Sequence, residues 1–100
     1  GGMSMDMSSP AICKPTWVVL SPDDSRIYVP CNGRGDVLEI DAESMLVLRR
    51  FDVGGAPYNA DITPDGSTLV VTRKGASSVA IIDLRTGEHD VVETTQSVWR

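Results

Sequence analysis

One hundred residues, 41% hydrophobic and 23% charged, describe one small globular unit rather than a disordered chain. The net charge is −5, and the only adjacent basic residues are the isolated pairs Arg49-Arg50 and Arg73-Lys74, so a nucleic-acid partner is not expected. The longest apolar runs fall far short of the roughly 20 residues that cross a bilayer, so no membrane insertion is expected. The opening Gly1-Gly2-Met3 has neither the basic nor the apolar region of a signal peptide, and its lack of an initial Met suggests processing or a piece of something longer.

In chain order, residues 1–14 are rich in Ser, Met and Pro and read as an irregular tail or an isolated edge strand. From Pro15 onward the chain repeats itself. With no gaps, Pro15 matches Pro57, Pro22 matches Pro64, Asp23 matches Asp65, Gly33 matches Gly75, Val37 matches Val79 and Asp41 matches Asp83, an offset of 42 residues. Repeats of about 40–45 residues are the length of a four-stranded propeller blade.

Each unit reads as four short strands. The first is Trp17-Val18-Val19-Leu20, matched by Asn59-Ala60-Asp61-Ile62. Ser21-Pro22-Asp23-Asp24 and Thr63-Pro64-Asp65-Gly66 then predict tight turns, with Pro preset for the second position and Gly66 free to take positive φ. The second strands are Arg26-Ile27-Tyr28-Val29 and Thr68-Leu69-Val70-Val71, and the third are Val37-Leu38-Glu39-Ile40 and Val79-Ala80-Ile81-Ile82. Asp41 and Asp83 each stand three residues before a hydroxyl (Ser44, Thr86), a spacing suited to an Asx-type turn. The fourth strands are residues 46–51 and, less well matched, 88–92, whose polar content suits an outer edge. No helix is expected. The stretch from Val53 to Gly66, with Gly54-Gly55-Ala56-Pro57 at its start, is the crossover between the units.

These residues resemble a known family. Ser21-Pro22-Asp23-Asp24-Ser25-Arg26-Ile27-Tyr28-Val29, the Val37-x-x-Ile40-Asp41 segment, Val53-Gly54-Gly55-Ala56-Pro57-Tyr58 and Ile82-Asp83-Leu84-Arg85-Thr86-Gly87 are similar to the YVTN-type β-propeller repeat. The chain departs from that pattern where an Asn commonly follows the second strand, since Cys31 and Arg73 stand there, and it has no Trp-Asp dipeptide of the WD40 type. The resemblance implies an all-β fold of two four-stranded antiparallel blades, with residues 15–56 as the first and 57–98 as the second. Residues 1–14 are then a tail or the outer strand of a preceding blade, and 99–100 open a third. A closed propeller needs about 4–8 blades, so the two blades are expected to be completed by oligomerisation through their bare faces or by further sequence, the latter favoured.

The sequence offers little chemistry beyond this frame. If the turn at residues 21–25 pairs Val19 with Ile27, Cys31 falls opposite Pro15, two residues from Cys13. Both thiols then lie at one end of the blade, where they either form a disulfide or remain free. A disulfide would indicate a periplasmic, secreted or cell-surface location. Met3, Met5 and Met7 alternate with polar residues and could offer thioethers to Cu(I), but a short tail without His favours a plain edge strand. Arg34-Gly35-Asp36 is an adhesion tripeptide by composition, set where Asp36 begins a strand, and Asp61-x-Thr63-x-Asp65-Gly66 has the front of a calcium loop without its closing Glu. With His89 alone and on an outer strand, a Ser-His-Asp triad is out of contention. No cofactor is implied and no catalytic residue stands out.

In propellers the ligand mouth is usually lined by residues opening each inner strand. Here these are Thr16, Trp17, Tyr58, Asn59 and Asp61, which combine aromatic area with hydrogen-bonding groups suited to a small molecule or peptide. The competing reading packs Trp17 and Tyr58 between the blades. The expected function is a non-enzymatic scaffold or binding module of the cell exterior or periplasm. Its alternatives are part of a propeller enzyme (a lactonase-type hydrolase or a metal- or haem-linked oxidoreductase) and a chain that assembles as a propeller without activity of its own.

Overall fold

The computed structural model describes residues 12–94. The readings placed on Met3, Met5 and Met7 and on Trp99 and Arg100 lie outside the described residues. Among the described residues eight strands run in chain order: β1 (Val19–Leu20), β2 (Arg26–Cys31), β3 (Asp36–Asp41), β4 (Val47–Asp52), β5 (Pro57–Ile62), β6 (Thr68–Arg73), β7 (Ser78–Asp83) and β8 (His89–Glu93). They form two antiparallel four-stranded sheets in simple sequential order, β1 to β4 and β5 to β8. The one helical element among the described residues is a single 3-10 turn, Lys74–Ala76.

The turns form for the reasons the sequence suggests. Asp23 Oδ1 accepts from the Ser25 backbone N–H (3.0 Å) and from the hydroxyls of Ser21 and Ser25, both 2.7 Å. Asp65 repeats this with Ser67 and Thr63. Gly66 takes φ +75°, while its counterpart Asp24 accepts φ 63° without being glycine. The Asp41 carboxylate caps the Ser44 N–H at 2.8 Å as its spacing predicts, whereas Asp83 bonds the Arg85 N–H at 2.9 Å, one residue earlier than the spacing suggests.

Pairing departs from expectation at β1. Val19 lies opposite Tyr28 and Leu20 opposite Ile27, one residue off the expected Val19–Ile27 pair, yet Pro15 still bridges Cys31. The slip recurs in the second sheet as an irregularity between Pro57 and Ala60. A second irregularity separates the repeats. β4 is bulged against β3 beside Glu39 and Ile40, while β8 pairs with β7 without a break. In space Arg49 therefore corresponds to Asp90 rather than to Val91, which explains the weak match of the fourth strands.

Alternation gives each sheet two faces. The front of the first sheet carries Tyr28, Val37, Glu39, Arg49 and Phe51, and the back of the second carries Ala60, Leu69, Val71, Ala80 and Ile82. These two faces meet, and the aliphatic members of both, with Tyr28, Phe51, Val53 and Leu84, are the buried core. One polar knot lies inside it. Glu39, 4% exposed, accepts from Tyr28 Oη at 2.8 Å and from Arg49 Nε and Nη2 at 2.7 and 2.9 Å. Arg49 Nη2 also donates to the Leu84 carbonyl of the other sheet at 2.8 Å, and its guanidinium lies 5.0 Å from the Phe51 ring centroid. Burial pushes the Glu39 carboxyl up, but the Arg49 and Tyr28 hydrogen bonds outweigh it and hold the group below its ordinary range. Burial and the bond to Glu39 raise the Tyr28 hydroxyl well above its usual value.

Two expectations follow. Arg49→Ala strands the Glu39 carboxylate and removes the bond to Leu84, and should cost about 3 kcal/mol in urea unfolding; a loss below about 1 kcal/mol would show that the knot does not hold the sheets together. The hydroxyl and backbone hydrogen bonds to Asp23 hold its carboxyl down to about 2, against an ordinary 3.8. Its stabilising contribution is therefore full above pH 3.8 and is lost as pH falls toward about 2. Asp23→Ala should lower the melting temperature at pH 6 and flatten the acid limb of the stability curve over that window, read by circular dichroism.

Candidate functional site

The inner strands β1 and β5 end side by side. Thr16 Oγ1 donates to the Tyr58 carbonyl at 2.6 Å, and Asn32 Nδ2 donates to the Pro57 carbonyl at 3.2 Å, so the strand entries are tied across the two sheets. Between them lies an open groove of about 530 Å³, lined by Trp17, Val18 and Val19 from the first sheet and by Asn59, Ala60, Asp61, Val70 and Thr72 from the second. Trp17 is 50% exposed there. The Asn59 backbone N–H donates to Thr72 Oγ1 at 2.9 Å, which fixes both residues. Asn59 Oδ1 is buried and accepts no hydrogen bond. Asp61 Oδ1 accepts from the Ile62 N–H at 2.9 Å, and the residue remains exposed. The wall is thus aliphatic and aromatic, with the exposed Asp61 carboxylate as an acceptor and the Asn59 amide oxygen buried behind it.

Of the five positions marked in the sequence, Trp17, Asn59 and Asp61 come together in this groove. Thr16 acts behind it, as the link to Tyr58. Tyr58 faces elsewhere, with the Lys74 ammonium 4.5 Å from its ring centroid. Neither aromatic side chain is sealed between the sheets, since Tyr58 is 38% exposed. Sequence reasoning missed Thr72, which the irregular pairing of β5 with β6 brings beside Asn59.

A second groove, about 540 Å³, lies at the other end of the second sheet's front, among Thr68, Ile81, Asp83, Arg85, His89 and Asp90. The His89 side chain is on this exposed outer strand as expected. The Arg34-Gly35-Asp36 tripeptide is folded back on itself. Asp36 is 3% exposed, and its Oδ2 accepts from Arg34 Nε at 2.9 Å and sits 3.7 Å from Arg50 Nη1, so its carboxylate is not presented outward. Asp65 is committed to its turn, and no group of three or more metal-ligating side chains occurs among the described residues.

Cys13 and Cys31 form a disulfide with Cα atoms 4.3 Å apart, which ties the approach to β1 to the end of β2. Their counterparts 42 positions on are Gly55 and Arg73. A Cβ on Gly55, which has φ +65°, would lie 2.5 Å from Arg73 Nε. The Arg73 guanidinium fills the place of the sulfur bridge and donates to the Gly54 carbonyl (3.3 Å) and Ser78 Oγ (2.7 Å). The backbone around the two closures is the same: the Asn32 N–H bonds the Lys14 carbonyl at 3.1 Å, and the Lys74 N–H bonds the Ala56 carbonyl at 3.0 Å.

Two twisted, stacked, four-stranded antiparallel sheets joined by an outer-to-inner crossover are two blades of a β-propeller, and similar solved structures bear this out. The chain is similar to Kuenenia stuttgartiensis hydrazine synthase (TM-score 0.82, 22% identity, 94% of this chain and 27% of that one). It is also similar to virginiamycin B lyase from Staphylococcus aureus (TM-score 0.71, 13% identity, 82% and 27%) and to the Dos1 propeller (TM-score 0.70, 13% identity, 84% and 22%). Among curated proteins, Antigen Lp49 of Leptospira interrogans serogroup Icterohaemorrhagiae serovar copenhageni (strain Fiocruz L1-130) is 30% identical over 79 residues, which take in 65% of this chain and 17% of that protein. The chain thus spans about a sixth of that relative's length. No protein-family model matches.

The disulfide closes a segment with a sequence separation of 18, and loop closure of that size contributes about 3 kcal/mol. Cys13→Ser/Cys31→Ser should lower unfolding stability by about that amount under oxidising conditions, and dithiothreitol should do the same to the unmodified chain but not to the double variant.

Proposed function

We propose that this chain is a ligand-binding pair of propeller blades of the YVTN type, acting as a binding or scaffold module in an oxidising compartment. The observation that carries the reading is the inner groove. An exposed indole, Trp17, shares an apolar wall with the unpartnered, buried Asn59 Oδ1, and the Asp61 carboxylate stands alongside. A buried acceptor left without a partner costs free energy, and the exposed Asp61 carboxylate beside it offers a ligand donor a reachable acceptor. The group accommodated is therefore an apolar body carrying an N–H or ammonium, as a peptide or small amide does. The Ser21-Pro22-Asp23 and Thr63-Pro64-Asp65 turns and the Gly54-Gly55-Ala56-Pro57 crossover support the YVTN assignment, and the Cys13–Cys31 bond supports a periplasmic, secreted or cell-surface location. Residues 15–56 and 57–98 are the two blades on this reading.

The fold likeness to hydrazine synthase and virginiamycin B lyase keeps a propeller enzyme as the second reading, in which this groove would be one part of a larger site. Fluorescence polarisation with a panel of labelled tri- and tetrapeptides separates the two. The binding reading expects at least one peptide to bind and to lose about tenfold in affinity with Trp17→Ala and with Asn59→Ala, equivalent to about 1.4 kcal/mol each. Binding indifferent to both substitutions would overturn it, as would stoichiometric metal by elemental analysis that disappears in Asp61→Ala.

A further inference from the structure

Among the described residues, two buried side-chain oxygens accept no hydrogen bond: Asn59 Oδ1 behind the inner groove, and Asp36 Oδ1. Asp36 is 3% exposed and opens β3 directly across from Cys31, the last residue of β2. Directly opposed residues on neighbouring strands put their side chains on one face, with Cβ atoms about 5 Å apart. The unmet carboxylate oxygen therefore belongs to the surroundings of the Cys31 sulfur.

Arg34 joins the two groups. Its Nε donates to Asp36 Oδ2 at 2.9 Å and its Nη2 to Cys31 Sγ at 3.5 Å, so one guanidinium spans carboxylate and sulfur. A sulfur held in a bridge is uncharged and only a weak acceptor, and gains little from such a donor. A thiolate gains far more, because a neighbouring cation is what favours the ionised form of a cysteine. Asp36 Oδ1 is the complement of this. It has no donor while Cys31 is bonded to Cys13, and a Cys31 thiol supplies one. The surroundings of Cys31 are thus furnished for the reduced sulfur, as thiolate and as thiol.

The second blade provides an internal comparison. Ser78 stands in the place of Asp36, and its hydroxyl is met by Arg73 Nη1 at 2.7 Å. The acceptor without a partner occurs at this place only in the blade that has the sulfur. The two sulfurs are also unequal. Cys31 is fully buried, whereas Cys13 is half-buried.

We propose that the Cys13–Cys31 bond is a directional thiol–disulfide exchange site for small thiols, with Cys13 attacked, Cys31 leaving and Arg34 holding the charge that develops. The inference is independent of what the inner groove binds. A thiolate RS⁻, its proton given up to water, attacks Cys13 Sγ. The R–S–Cys13 bond forms, the Cys13–Cys31 bond breaks, and the electron pair goes to Cys31 Sγ beside Arg34. Cys31 then takes a proton from water and donates it in a hydrogen bond to Asp36 Oδ1. A second thiolate displaces Cys13, releasing R–S–S–R and leaving the dithiol. Two thiols lose two electrons in all, and the disulfide gains them.

Reduced glutathione and the oxidised full chain test this. Reactions are quenched in acid, alkylated with N-ethylmaleimide and mapped by peptide mass spectrometry. Early samples should carry glutathione on Cys13 and maleimide on Cys31. Glutathione on Cys31, or equal shares on both, overturns the proposal, and this mapping needs no variant. Arg34→Gln should slow the first exchange about tenfold, since it removes the cation beside the leaving sulfur, and Arg34→Lys should stay within about threefold of the unmodified chain. A substitution that merely loosened the fold would open access to the bridge and speed exchange. An Arg34→Gln rate that is unchanged or faster therefore overturns the role of Arg34, as does an Arg34→Lys rate as slow as that of Arg34→Gln.

Discussion

The fold turns on what becomes of the Glu39 carboxylate. A carboxylate inside a core of small aliphatic side chains is stable only if its lone pairs are met. Tyr28 and Arg49 do so from the same sheet, and Arg49 Nη2 also donates to the Leu84 carbonyl of the next one. Neither sheet would present this arrangement to water at equal advantage. The first needs a cover over the polar knot, and the second needs an apolar partner for Leu69, Val71 and Ile82. Stacking meets both needs at once, and the crossover through Val53 and Pro57, both buried, holds the blades at the distance the knot requires.

Much of this was legible in the sequence. The 42-residue period, the proline-aspartate turns and the alternating strands define two blades because they encode local geometry directly. The disulfide was visible as one of two readings, since Cys31 does fall opposite Pro15. What stayed hidden depends on pairing rather than on composition. The one-residue slip between Pro15 and Val19, and the bulge in β4 absent from β8, leave no mark in the residue types, so the counted register missed the Val19–Tyr28 pair. The same limit applies to the groove. Trp17, Asn59 and Asp61 were marked by their place at the start of inner strands, but Thr72 reaches them only through an irregular ladder.

The two ends of the blades differ in chemistry. At the inner rim, Asn59 Oδ1 has no partner beside an exposed indole, and the bond from the Thr16 hydroxyl to the Tyr58 carbonyl ties the two blades. On the sheet faces and at the outer end, side chains are aliphatic or charged.

The exchange of Cys13–Cys31 for Gly55 and Arg73 bears on how such duplicated units can diverge. In one repeat a covalent bond closes the loop, and in the other a guanidinium lies in a space that exists only because Gly55 has no side chain. Neither solution can be converted into the other one residue at a time. A lone Cys at position 73 would have no thiol partner, and any Cβ at position 55 would displace the arginine. Drift between the repeats is therefore quantised at this point into paired steps, and the two blades keep distinct chemical identities even where their backbones superimpose.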